Sequence, residues 1–204
     1  MFSVTDINEL HRKTVERWHR FEIDNAYEGI LATVCKQHSF NFLLWHEEDI
    51  ARSRDVSDTR IAQVKRAIDR YNQQRNDWIE KVDDQIAAVL GASEISPNPD
   101  ATLNTETPGS AIDRLSIMAL RVYHLDEQLQ RDDVETRHKE SVQQKLAVCL
   151  MQQSDLSNSL QALVEDIFAG RKIHRTYRQF KMYNDPALNP YLYQARQTKT
   201  AKVA

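Results

Sequence analysis

Residues able to do chemistry cluster in one short segment, Asn41-Phe42-Leu43-Leu44-Trp45-His46-Glu47-Glu48-Asp49, followed by Arg52. Asn41, Trp45, Glu48 and Arg52 recur at near-helical spacing, and His46 and Asp49 lie one turn apart. Further along, Asp69, Asn72 and Asn76 fall on the flank of an apolar stripe that Arg75 interrupts between Tyr71 and Trp78. Asn is a poor helix former, so two of them mid-helix call for a local reason. A guanidinium aimed at a core must be paired, because isolated buried charge is costly. The expectation is a polar seam or pocket between two helices, lined by Asn41, His46, Glu48, Asp49, Arg52, Asp69, Asn72, Arg75 and Asn76. His46 is the best acid/base candidate, since its unperturbed pKa lies nearest neutrality.

Other chemistries have thinner support. Glu16/His19 and Glu135/His138 have di-iron spacing, but no further Glu pair completes such a site, so no metal ligand is assigned. Glu48, Asp49 and Asp69 resemble part of the carboxylate set with which all-α pyrophosphohydrolases collect Mg²⁺, with Asn72 in place of the fourth acid. Mg²⁺ is therefore a minor expectation, and no other cofactor is expected. Thr107-Pro108-Gly109-Ser110 opens a helix whose free N–H groups suit either an anion or simple capping, and Asp113 just inside complements the dipole. Cys35 and Cys149 show no zinc or redox spacing and read as reduced core thiols. No phosphate loop or nucleophile elbow is present.

The elements that must position these groups are helical. Only 4 Gly and 5 Pro occur in 204 residues. Their placement leaves two breaker-poor arms, about 24–90 and 108–170, around a loop at 92–107. The first arm predicts helices over about Asp24–Ser53 and Asp58–Leu90, with Ser57 and Asp58 as caps and Gly91 at the C′ position. The apolar stripe Ile61, Val64, Ile68, Tyr71, Trp78, Val82, Ile86, Val89 has helical period. The second arm predicts a helix from Thr107-Pro108 and another over about Val134–Ala169, ended by Gly170. A shorter helix covers about Asp6–Arg20. The fold class is therefore all-α: an antiparallel bundle of four long helices, a short N-terminal helix and an irregular C-terminal tail. One domain spans 1–190, and 191–204 is expected to be a flexible tail.

Lys+Arg number 27 against 30 Asp+Glu, a formal charge of −3, which argues against whole-surface nucleic-acid binding. No run approaches the roughly 20 apolar residues of a membrane span, and the first residues lack a secretory pattern, so a cytoplasmic protein is expected. The segment Arg171–Lys181 carries five Lys/Arg with Tyr177 and Phe180 interleaved. It suits an anion or phosphosugar clamp, a partner-docking or single-strand nucleic-acid strip whose aromatics would stack bases, or a basic cover strand whose aromatics pack on the bundle.

The stretches LLWHEEDIAR, KRAIDRYNQQRND, ETPGSAIDRLSIMALRVYH and YRQFKMYNDPALNP resemble a bacterial family numbered 4254 among domains of unknown function. The likeness runs from about Asn41 to Pro190. It implies motif positions at Trp45, His46, Asp49, Arg52, Asp69, Asn72, Asn76, Asp113, Lys181, Asn184 and Asp185. It also implies gene neighbours that encode glycosyltransferases of envelope polysaccharide or lipopolysaccharide. The expected function is an accessory protein of that synthesis, binding a sugar-phosphate or nucleotide-sugar-like anion through Arg52, Arg75 and Lys181. The alternatives are a non-enzymatic adaptor that docks a glycosyltransferase or a second copy of itself, and a Mg²⁺ phosphohydrolase.

Overall fold

Five helices account for most of residues 3–194, the part of the chain described by the computed structural model. They are α1 (Val4–Trp18), α2 (Gly29–Arg52), α3 (Asp58–Ala92), α4 (Pro108–Leu129) and α5 (Thr136–Phe168). The all-α expectation holds. Two-residue strands β1 (Thr102–Leu103) and β2 (Lys172–Ile173) pair in parallel and tie the α3–α4 loop to the end of α5. Residues 195–204, most of the expected tail, lie outside the described residues. Among those described, no helix is long and apolar enough to cross a membrane.

The helix α2 is the centre of the bundle. Ten of its residues between Thr33 and Leu44 are buried, polar and apolar alike. A helix buried nearly all round has no single apolar stripe, which is why its periodicity is weak. It packs on α3 through the five-residue link 53–57, and on α1 and α4. The short α1 is more than a flank: Ile7, Leu10, Val15 and Trp18 are all buried in the main core with Val34, Phe42, Val82, Ile86, Ile112 and Leu115. The middle of α5 is different, with Val148, Leu150 and Met151 facing solvent.

Helix ends explain where the expected boundaries were and were not met. The α2 helix begins at Gly29, not Asp24, because Gly29 takes a left-handed φ of +56° and Glu28 is extended. The residues before it serve as fasteners instead. Asp24 accepts a hydrogen bond from Trp18 Nε1, and Asn25 Nδ2 donates to Ala32 O. Gly91 stays inside α3. The left-handed C′ position falls on Glu94 (φ 55°), whose N–H bonds Gly91 O while Ile95 N–H bonds Leu90 O. At the end of α5 Gly170 is the left-handed terminator, as its position predicted.

The start of α4 also matches, with Thr107 as N-cap to Ser110 N–H and Pro108 in the first turn. The anion that its N–H groups suit is supplied by the chain itself. Buried Asp83 of α3 accepts from Gly109 N–H at 2.8 Å. Burial raises the Asp83 carboxyl pKa, against the opposing pull of the Thr107 hydroxyl and the Gly109 N–H. A Cβ on Gly109 would sit 2.6 Å from Ile79 O and 2.9 Å from the Asp83 carboxylate. Gly109→Ala should therefore lower stability by about 2–4 kcal/mol, the range of overpacking with a lost buried hydrogen bond. Gly91→Ala, which meets nothing within 4 Å, should gain about 0.5–1 kcal/mol from helix propensity. Urea unfolding of the two variants checks the contrast.

Candidate functional site

The α2 and α4 helices run side by side in the same sense, so residues along them meet in rising order. On α2 the facing positions are Gln37, His38, Asn41, Trp45 and Asp49. On α4 they are Asp113, Ser116, Leu120 and His124, each three or four residues apart, which places them on one face. The lower part of this seam is closed. Asp113 Oδ1 accepts from Gln37 Nε2 at 2.6 Å and from Asn41 Nδ2 at 2.9 Å. The Ser116 hydroxyl lies 2.8 Å from Asn41 Nδ2 and 2.6 Å from His38 Nδ1. All five side chains are buried. Arg75 of α3 completes the ring, with Nε 3.8 Å from Asp113 Oδ1.

Asp113 is thus the hub of the polar seam, which corrects its reading as a dipole complement at the helix start. Burial raises its pKa, and Arg75, Asn41 and Gln37 pull the other way. Arg75 is paired as expected but only partly buried: its side chain keeps 28% exposure and borders open space.

Above Asp113 the seam opens into a groove. One part, about 300 Å³, is lined by Asn41, Trp45, Glu48, Asp49, Arg52 and Arg75, with Leu120 as part of the apolar wall. A neighbouring part, about 740 Å³, shares Trp45 and Asp49 and is lined further by His19, His46, Arg121, His124, Glu127, Lys145 and Cys149. The expected convergence of Asn41, Trp45, His46, Glu48, Asp49, Arg52 and Arg75 is therefore present. Arg52 is 71% exposed and already holds Glu48 at 2.6 Å, so it reaches the groove only from its rim.

Other expected members fall elsewhere. Asp69 is exposed and forms no metal-ligand cluster with Glu48 and Asp49, so the three carboxylates make no Mg²⁺ cage. Asn76, two turns on and on the same side of α3, is buried, so the difference lies along the helix rather than around it. Asn72 is half-buried and lines neither part of the groove. Asn184 donates to Gln73 Oε1 on the outside of α3, and Asp185 accepts from its own Ala187 N–H. Both shape the tail rather than the seam.

The basic tail lies along α3. Arg178 bridges Glu80 and Asp84 at 2.7–3.1 Å, and His174 Nε2 lies 2.8 Å from Asp83 O. Of its charges, Arg178 is thus spent on α3 acids and Arg171 on Asp166 of α5. Its aromatics do not pack as a cover strand would require: Phe180, Tyr183 and Tyr191 are strongly exposed. Lys181 sits near Arg75. Burial and then the Arg75 charge lower its pKa, while Asp77 and Asp69 oppose. It makes no ion pair within 4 Å among the described residues.

Two features escaped the sequence. One is a set of aromatic contacts around His19, at the C-cap of α1. Its ring stacks on Tyr123 at 4.2 Å and meets His46 and His124 edge to face at 5.2 and 5.1 Å. Trp45 stacks on His124 at 4.7 Å. Burial lowers the His46 pKa, helped by His19 and His124, so its imidazole is neutral at pH 7. The other is a buried pair, His11 and His38, with ring centres 4.6 Å apart. Neither ring nitrogen of His11 has a hydrogen-bond partner among the described residues. Burial lowers the pKa of His11 to about 3.

The buried pair gives the protein an acid limit. The unfolded chain protonates His11 below about pH 6.5, whereas the folded chain resists down to about 3. Stability is thus full above 6.5 and is lost as pH falls through that window. Between pH 7 and 5 the loss from His11 alone is about 2 kcal/mol. Thermal melts at both pH values should show that His11→Phe removes this share of the loss. An unchanged pH dependence in the variant would show that His11 is not the group responsible.

No curated protein and no solved structure matches the chain. A family model described as "Protein of unknown function (DUF4254)" matches residues 31–176, well over half of the chain. The matched range contains the α2–α4 seam, His46, His124 and Arg75, and it ends before Lys181. The chain belongs to this DUF4254 family.

Proposed function

We propose that this chain is a cytoplasmic accessory protein of cell-envelope polysaccharide or lipopolysaccharide synthesis that binds a sugar-phosphate or nucleotide-sugar-like anion in the α2–α3–α4 groove. The envelope context rests on the family resemblance. The binding itself is supported by one observation: a concave, open groove at the polar seam, walled by a partly exposed arginine with unfilled donors. Arg75 has Asp113 as its only charged partner among the described residues, at 3.8 Å, and Lys181 brings a second cation close by. Two cations that share no close carboxylate suit the two or three acceptor oxygens of a phosphate.

The remaining lining fits the organic part of such a ligand. Asn41 and Glu48 offer hydrogen bonds to hydroxyls, and Trp45 offers an apolar face. The two parts of the groove, about 300 and 740 Å³, cover the size range of small-ligand sites, about 300–1,000 Å³. Arg52 can join after releasing Glu48. His46, its pKa lowered by burial, faces the wider part of the groove.

The adaptor alternative would use the exposed Val148, Leu150 and Met151 of α5. An open groove at the seam favours a ligand over a docking surface alone.

A thermal-shift panel tests this reading, run with a chelator present and with nucleotide sugars and sugar phosphates at millimolar concentration. A ligand at 100 times its Kd adds about 2.7 kcal/mol and raises Tm by several degrees. Wild type should respond to at least one compound, and Lys181→Ala and Arg75→Gln should each respond less. A flat panel, or a response indifferent to both substitutions, contradicts the reading.

A further inference from the structure

The three histidines that meet at the groove come from three different helices: His19 ends α1, His46 lies on α2 and His124 on α4. Each offers a ring nitrogen, and these atoms lie within 4.8 Å of one another. Protein packing does not by itself call for three imidazoles to converge edge to edge. Their rings stand nearly perpendicular in every pairing, at 72°, 74° and 79°, with centroids 5.1–5.9 Å apart. A tetrahedral ion about 2.0–2.1 Å from three imidazole nitrogens sets ring centroids about 5 Å apart and the nitrogens about 3.3 Å apart. Small side-chain rotations close the difference.

The tautomers point the same way. His19 Nδ1 lies 2.7 Å from Val15 O. A carbonyl only accepts, so Nδ1 carries the proton and Nε2 carries the lone pair. His124 Nδ1 lies 3.1 Å from Glu127 Oε2, which fixes the same tautomer. Both Nε2 atoms are buried and have no hydrogen-bond partner among the described residues. Unsatisfied buried acceptors are rare in folded proteins. A histidine whose far nitrogen is held by a carbonyl or carboxylate while the near one is free is the arrangement that metal-binding imidazoles adopt.

We propose that His19, His46 and His124 form a site for one divalent transition-metal ion of the zinc type, with a coordination position open to the groove. Imidazole ligands select such ions over Mg²⁺ or Ca²⁺. Three protein ligands and an open fourth position distinguish sites that act on a bound molecule from closed structural ones. Arg121 and Lys145 line the same space, so an anionic oxygen is the natural occupant of that position. Trp45 and Tyr123 stack on His124 and His19 and hold the rings in place, and Glu127 is a positioning residue for His124.

Titration of Zn²⁺ into the chelator-stripped, dialysed full chain at pH 7.5, read by calorimetry, tests the site. One ion per chain should bind with a Kd of about 1 μM or tighter, the energy of a preformed three-nitrogen site. His46→Ala should weaken binding about 100-fold or more, and Glu127→Gln about 10-fold or more. The exposed His138→Ala should change nothing. Loading with Co²⁺ should give the visible absorption of a four-coordinate ion in wild type and not in His46→Ala. Circular dichroism confirms that the variants fold, and among the described residues His46 makes no side-chain hydrogen bond that its loss would break. Absence of stoichiometric Zn²⁺ binding overturns the proposal, as does equal affinity in wild type and His46→Ala. The anion panel is run in chelator, so failure of either reading is separate from failure of the other.

Discussion

A carboxyl group in the middle of a helical bundle is expensive unless buried donors and an opposite charge face it, and Asp113 sets that condition for the rest of the fold. Stripping water from an ion costs several kcal/mol even after relaxation. Here the cost is offset by Gln37 and Asn41 from α2 and by the Arg75 charge from α3. The three helices can meet the condition only in one register, because a slip of one residue carries an amide or a guanidinium off the shared face. The apolar core around Ile112, Leu115 and Val34 supplies most of the drive to collapse. The Asp113 ring selects which collapsed arrangement is allowed. At the far end of α3 the same device recurs, with Asp83 seated against the first turn of α4.

That register also builds the groove. Once Asn41 is pinned to Asp113 and Ser116, the next turns of α2 and α4 bring Trp45, His46 and Asp49 opposite Leu120 and His124. Packing there is looser, so the polar seam opens toward solvent where the histidines and Arg75 meet space. Structure and proposed binding therefore rest on the same residues. Arg75 serves both: its Nε faces Asp113 while the guanidinium borders the groove. Substitutions at Arg75 affect stability and ligand response together, and Lys181, which lies outside the bundle, separates the two.

Much of the frame was legible in the residues. Thr107-Pro108 marked the start of α4 because a capping hydroxyl and a fixed φ act locally. Gly170 marked the end of α5 because the left-handed turn needs no partner. The stripe through Val64, Ile68, Val82 and Ile86 marked α3 because one of its faces is dry. The α2 boundary and the α3 terminator depart from the local rules where tertiary demands override them. Gly91 was the better C′ residue by type, yet α3 runs on until Glu94 takes that conformation. The site was legible on one side only. Asn41, His46, Asp49 and Arg75 stand out in sequence because polar residues interrupt apolar helices. Asp69 stands out equally but stays exposed, since spacing on one helix carries no information about how far its neighbour covers it. His19 and His124 could not be paired with His46 in advance, because their separations in sequence, 27 and 78 residues, correspond to no local motif. Only the packing of α1 and α4 on α2 brings them together.

The central claim is that Asp113 and its α2 donors act as one buried unit. A double-mutant cycle on Asn41→Ala and Asp113→Ala, read by equilibrium unfolding in urea, measures this directly. The account predicts a coupling of about 1–3 kcal/mol, since each single substitution leaves the other group buried with a lost partner. Additive effects, within about 0.5 kcal/mol, would contradict it.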